Sequence, residues 1–150
     1  MLNYNDNMNY LEQSFSVKFE YKIFFTSSLF DINNDTLADF FKEKPSESLR
    51  KIFFVVDQGV ADTHPNLISD IKQYFNAHPD VQLIEEVMVI TGGEAAKNDT
   101  NLFDRIVEAV NRFGIDRHSY VAAIGGGALL DLVGYAAAVS HRGIKHIRIP

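Results

Sequence analysis

Three consecutive glycines, Gly125-Gly126-Gly127, separate an apolar run ending at Ile124 from a second apolar stretch beginning at Ala128. Glycine lets a backbone turn sharply and come close to a ligand. If the second stretch is a helix, its first turn offers unpaired N–H groups and a partial positive charge. That combination suits a phosphate or a pyrophosphate. The same glycines also suit a tight packing turn, and both readings stand at this point. The spacing is not Gly-x-Gly-x-x-Gly, and Ile147-Arg148-Ile149 stands where that fingerprint expects an acid. No Gly-Lys-Ser/Thr follows, which excludes a P-loop. The pattern here is Gly-Gly-Gly-x-x-x-Asp, ending at Asp131. That acid either offsets the helix dipole or accepts hydrogen bonds from a ribose hydroxyl.

Two further segments offer polar groups at strand ends. Asp57 closes the apolar run Ile52-Phe53-Phe54-Val55-Val56, a position that suits either a ribose-binding acid or a cap. Thr91-Gly92-Gly93-Glu94-Ala95-Ala96-Lys97 supplies a flexible turn with an acid and a base in reach of each other. Taken alone, it reads as a solvated turn with a weak ion pair, worth about 0–1 kcal/mol.

The elements that must position these groups alternate. Ser16 to Phe25 partly alternates apolar and polar residues (Val17, Phe19, Tyr21, Ile23), as a half-buried strand does. Asn34 or Asp35 can cap a short helix through Leu37, Phe40 and Phe41, closed by Lys44-Pro45-Ser46. Lys51 to Asp57 reads as a strand buried on both faces. A helix follows, with Pro65 near its first turn and Leu67, Ile68, Ile71, Tyr74 and Phe75 on one face. A strand is expected from Gln82 to Ile90. Asn98 or Asp99 caps an amphipathic helix that stops at Gly114. A buried strand from Tyr120 to Ile124, a helix to about Ser140 and a strand from Ile144 to Ile149 complete the chain. Alternation of this kind predicts an α/β fold with a doubly wound, mostly parallel sheet and ligands at the strand C-termini. Residues 1–14 read as a polar leader and 15–150 as the domain.

Composition narrows the function classes. The chain has 150 residues, 46% of them apolar and 23% charged, which is ordinary globular composition. Its net charge of −6 gives no global attraction to nucleic acid or anionic lipid. With no cysteine, disulfide scaffolds, zinc fingers and thiol catalysis are excluded within these residues. Nothing in the first residues reads as a targeting signal, so a cytoplasmic location is the expectation. Tyr120 to Val139 is nearly apolar, but the glycines and Asp131 argue against a membrane span. The chain stops one residue after a strand, which suggests a fragment of a longer protein.

Together the motifs resemble one family. Gly-Gly-Glu-Ala-Ala-Lys at 92–97, Gly-Gly-Gly-Ala-Leu-Leu-Asp-Leu-Val-Gly-Tyr-Ala-Ala-Ala at 125–138 and His-Arg-Gly-Ile-Lys-His-Ile-Arg-Ile-Pro at 141–150 resemble the N-terminal, NAD-binding domain of the dehydroquinate synthases and their sugar-phosphate cyclase relatives. The resemblance covers about the last hundred residues, including the Asp57 strand. It implies a Rossmann-like domain, the first half of a two-domain protein, with a tightly bound NAD. On matching positions, Gly126 and Gly127 would hold the pyrophosphate, and Asp131 and Asp57 would meet riboses. Gly92, Gly93, Glu94 and Lys97 would lie beside the cofactor. Arg142 would bind the substrate phosphate, in the family across a dimer interface, which implies a homodimer for the complete protein.

The implied activity is that of a lyase. NAD oxidises a hydroxyl of a heptulosonate phosphate, phosphate is eliminated, the ketone is reduced again and an aldol step closes the carbocycle. A divalent metal, zinc or cobalt, polarises the substrate in a C-terminal domain absent from this chain. No metal ligand and no catalytic residue is therefore assigned here, and the chain alone is expected to be inactive. The implied setting is the shikimate pathway of aromatic amino acid biosynthesis. Leu130 stands where dehydroquinate synthases usually have Gly, and Ser140-His141 replaces an aromatic-rich pair. An epi-valiolone-type cyclase acting on sedoheptulose phosphate is therefore an alternative. A metal-dependent glycerol or alcohol dehydrogenase is a second, disfavoured by Gly134-Tyr135 where that family has Lys soon after the Asp. A stand-alone nucleotide-binding module is a third.

Overall fold

The computed structural model describes residues 10, 12–16, 18, 20–43 and 48–150. Helix α1 (Thr36–Lys42) precedes strand β1 (Lys51–Asp57), which runs directly into α2 (Gln58–Thr63) and then α3 (Leu67–Ala77). Short strands β2 (Gln82–Leu83) and β3 (Met88–Ile90) follow, then α4 (Thr100–Arg112), β4 (Tyr120–Ile124), α5 (Gly127–Val139) and β5 (Lys145–Ile149). The strands form one sheet in the order β2-β1-β4-β5, with β3 also on β1. Every pairing is parallel, as the α/β expectation requires.

β4, and β1 between Lys51 and Asp57, are apolar because both of their faces are covered. Phe53 and Val55 of β1, with Val121 and Ala123 of β4, pack against α4 and α5. Ile52, Phe54 and Val56, with Tyr120, Ala122 and Ile124, pack against α1 and α3. Side chains alternate across the sheet, so one continuous apolar run feeds two cores. Tyr74 of α3 ties α1 to the second core. Its hydroxyl donates to the Asn34 carbonyl (2.8 Å) and accepts from the Ala38 N–H (3.1 Å). Ala38 lies in the first turn of α1, where N–H groups have no partner within the helix. Tyr74→Phe would orphan that buried N–H, and a loss of about 1–3 kcal/mol is expected as a lower urea midpoint at constant m.

The caps follow the sequence. Asp99 accepts from the N–H groups of Asn101 and Leu102 at the head of α4. Gly114, at φ +60°, ends that helix, with its N–H on Asn111 O and the Ile115 N–H on Val110 O. At α1 the Asn34 side chain takes the Thr36 N–H at 3.0 Å, while Asp35 makes no side-chain cap. The apolar stretch 120–139 resolves into β4, the glycine turn and the 13-residue α5. Among the described residues, no helix is long and apolar enough to cross a membrane.

Three expectations need correction. The alternation from Ser16 to Phe25 forms no strand among its described residues, and Tyr21, Ile23 and Phe25 are exposed. Val17 and Phe19 lie outside the described residues, as do Lys44-Pro45-Ser46 and most of the expected leader. Alternation makes a strand only where the segment pairs with a neighbour, and among the described residues β1 to β5 pair only with one another. The expected strand from Gln82 to Ile90 is split. β2 pairs Gln82 with Lys51, but β3 pairs Met88 with Val55, so two extra residues loop out between them. The helix expected after Pro65 forms as α3, but an unexpected α2 precedes it, and His64 before the proline is non-helical (φ −126°, ψ 73°) and separates the two.

Candidate functional site

The polar groups singled out above converge on the C-terminal edge of the sheet, with one exception. Asp57 ends β1 and caps α2, its Oδ1 accepting from the Gly59 N–H at 2.8 Å. Its other carboxylate oxygen lies against Gly92, just past β3. A Cβ on Gly92 would fall 1.8 Å from Asp57 Oδ2. On the opposite side stands Gly125, where a Cβ would fall 2.8 Å from Asp57 Cβ and 2.8 Å from Leu129 Cδ2. Gly92 and Gly125 are therefore glycines because Asp57 fills the space between them.

Gly126 and Gly127 differ. A Cβ on either would meet nothing within 4 Å. Gly126 is the N-cap of α5 and offers no side-chain cap to the first N–H groups of that helix. The turn is anchored by the Gly125 N–H on Ile149 O of β5 at 3.1 Å. An open, uncapped helix start beside backbone free of side chains is a place for an anion. The residues present fit the pyrophosphate of a dinucleotide.

A chain of charges borders this opening. The 3₁₀ segment Glu94–Asn98 places Lys97 3.6 Å from Glu94 and 3.4 Å from Asp131 Oδ2. Arg148 of β5 donates to Asp131 Oδ1 at 3.1 Å. The Arg148 guanidinium, and then Lys97, hold the Asp131 carboxyl below its ordinary range. All four side chains remain in contact with solvent, so these are accessible polar groups rather than core pairs. Gly93 carries the chain into this segment at φ +96°. A groove of about 350 Å³ opens beside Gly92, lined among others by Gln58, Thr91, Ala95, Asp99 and Arg105.

Arg142 is the exception. It follows the C-terminus of α5, roughly 20 Å along the helix from the glycine turn at 1.5 Å per residue. His141 (φ +46°) and Arg142 (φ +68°) both hold left-handed backbone, which costs non-glycine residues about 1–2 kcal/mol each. Arg148 is the residue that sequence reasoning missed: it was seen only as the lack of an acid. The signal was the alternation of β5, which sends Ile147 and Ile149 to one face and His146 and Arg148 to the other. His146 packs on Gly134, where a Cβ would lie 3.0 Å from its Nδ1. Burial, and then Arg148, push the His146 pKa down to about 4. Among the described residues, no group of three His, Cys, Asp or Glu could hold a metal ion.

Residues 87–150, which contain the glycine turn, Asp131 and Arg142, match the family model described as 3-dehydroquinate synthase N-terminal. A 3-dehydroquinate synthase of Prochlorococcus marinus (strain MIT 9515) is 37% identical over 103 residues, covering 67% of this chain and 26% of that protein. The chain is a relative of the sugar-phosphate cyclases. The demethyl-4-deoxygadusol synthase of Trichormus variabilis (strain ATCC 29413 / PCC 7937) is 29% identical over 143 residues, covering 93% of this chain and 32% of that one. The fold agrees as well. A crystal structure of 2-deoxy-scyllo-inosose synthase, complexed with carbaglucose-6-phosphate, NAD+ and Co2+, superposes with a TM-score of 0.58 at 22% identity, covering 77% of this chain and 30% of that one. The chain thus spans less than a third of the sugar-phosphate cyclases named here.

Proposed function

We propose that this chain is the NAD-binding part of a sugar-phosphate cyclase whose metal-binding part lies beyond these residues. The observation that carries the reading is the uncapped start of α5, where Gly126 and Gly127 face open space beside Asp57 and Asp131. Backbone N–H groups of that first turn would take the pyrophosphate, and the helix dipole favours its charge. Asp131 and Asp57 would accept from ribose hydroxyls. Gly92 and Gly93 leave room for the dinucleotide, and Glu94 and Lys97 border it. When bound, NAD would supply the hydride chemistry, with the protein orienting it. A divalent metal, zinc or cobalt, would be held outside this chain.

The favoured substrate is a heptulosonate phosphate, with lyase chemistry that eliminates phosphate and closes a carbocycle, as in a dehydroquinate synthase of the shikimate pathway in the cytoplasm. A second reading, a cyclase acting on sedoheptulose phosphate, draws support from Leu130. It also draws support from the 29% identity over 131 residues, 87% of this chain, to the 2-epi-5-epi-valiolone synthase of Actinomyces sp. Arg142 would grip the substrate phosphate. Its distance from the glycine turn fits action on the site of a second copy, and its strained backbone is of the kind found at ligand clamps. Arg142→Ala is expected to raise the substrate KM at least about tenfold while NAD affinity stays level, the loss of one charge-assisted contact. Equal loss of both would count against this role. The deciding experiment is phosphate release by the complete gene product with NAD and zinc, offered the dehydroquinate precursor and sedoheptulose phosphate separately. Release from one alone names the substrate, and release from neither by NAD-bound protein rules out both substrates and moves the reading to a divergent cyclase or a dehydrogenase.

A further inference from the structure

Asp131 lies four residues after Gly127, so the two share one face of α5. A helical side chain leans back over the turn before its own Cα. The Asp131 carboxylate therefore borders the opening at Gly127. It does not fill it, because the direction of a Gly127 Cβ is empty to 4 Å. What draws the carboxylate aside is visible in its contacts. One oxygen meets Arg148 at 3.1 Å and the other meets Lys97 at 3.4 Å. The two cations come from different elements, β5 and the 3₁₀ segment Glu94–Asn98.

Arg148 itself is fixed by the sheet. It stands in register with Ala123 of β4, two residues before the glycine turn. β5 also receives the Gly125 N–H through Ile149 O. One strand thus anchors the turn through its backbone and the acid through its side chain. We infer that Arg148 is a positioning residue that, with Lys97, holds the Asp131 carboxylate beside the glycine turn, ready to accept from a ribose hydroxyl. This rests on the NAD reading of the site. The two cations also favour the ionised carboxylate, in line with the lowered Asp131 pKa. Lys97, Arg148 and Glu94 (through Lys97) are the charged groups that reach it.

The test is a double-mutant cycle read as NAD dissociation constants of the full chain by titration calorimetry, with circular dichroism to confirm folding. Asp131→Asn should weaken NAD about tenfold, the size of a lost charge-assisted hydrogen bond. Arg148→Gln should weaken it about threefold, in the range of an exposed ion pair. Arg148→Lys should restore most of that loss. In the Asp131→Asn background, Arg148→Gln should change nothing, because its effect passes through Asp131. The same threefold loss in both backgrounds would overturn the inference, as would a silent Arg148→Gln in protein whose Asp131→Asn variant binds NAD poorly. If Asp131→Asn itself binds NAD normally, the assignment of Asp131 to the cofactor fails first, and the inference falls with it.

Discussion

Gly127→Val is expected to weaken NAD at least about 100-fold, the size of two lost charge-assisted hydrogen bonds, and to leave the fold intact. The reason is where the new side chain would go. Gly127 is the first residue of α5, and a Cβ there meets no protein atom within 4 Å. Valine has a higher helix propensity than glycine, so the helix itself loses nothing. The isopropyl group would stand in front of the uncapped N–H groups, in the space that a pyrophosphate needs. Calorimetric titration with NAD, alongside a thermal melt, measures both halves of the expectation. NAD affinity unchanged in a folded variant would mean that the turn serves packing and that the anion reading is wrong. A melting point lowered as far as the affinity would mean that the open space is needed by the protein itself.

Gly92→Ala should behave in the opposite way and cost stability as well as ligand. A methyl group there would lie 1.8 Å from Asp57 Oδ2 and 3.0 Å from its Cγ. The carboxylate must move, and moving it releases the Gly59 N–H that it caps at 2.8 Å. Overpacking costs about 1–3 kcal/mol and a lost cap about 1 kcal/mol more. Chemical denaturation should therefore show a drop of about 2–4 kcal/mol. The second site provides the control. In an Asp57→Ala background the clashing oxygens are gone, and Gly92→Ala should cost far less. Equal cost in both backgrounds would show that something other than Asp57 makes position 92 a glycine. Gly92 and Gly127 thus separate two uses of glycine that look alike in sequence: one makes room for a neighbouring side chain, the other faces open space.

That contrast shows how far a sequence carries. β1, β4 and α4 were readable because pattern and burial coincide there: unbroken apolar runs for strands covered on both faces, and an apolar stripe with Asp99 and Gly114 at its ends. The convergence of Asp57, Gly92, Glu94, Lys97, Gly125–Gly127 and Asp131 on one sheet edge was legible too, since parallel strands bring their C-termini to the same side. What pairing partners decide was not legible. The alternation through Tyr21 and Ile23 finds no neighbouring strand to pair with among the described residues, and the looped-out residues between β2 and β3 are a matter of register rather than of pattern. Arg148 escaped notice for a related reason. Its meaning comes from Asp131, 17 positions earlier and on a different element.

The carboxylate wedged between Gly92 and Gly125 has a thermodynamic consequence. It joins the ends of β1, β3 and β4 through contacts that leave no slack, while β5 holds the Gly125 N–H from the far side. The loop that would receive an anion is already shaped before anything arrives. Ordering a floppy loop around a ligand costs conformational entropy, which subtracts directly from affinity. Here most of that ordering is done when the chain folds, and the backbone amides of the turn would meet a phosphate in place rather than being gathered around it.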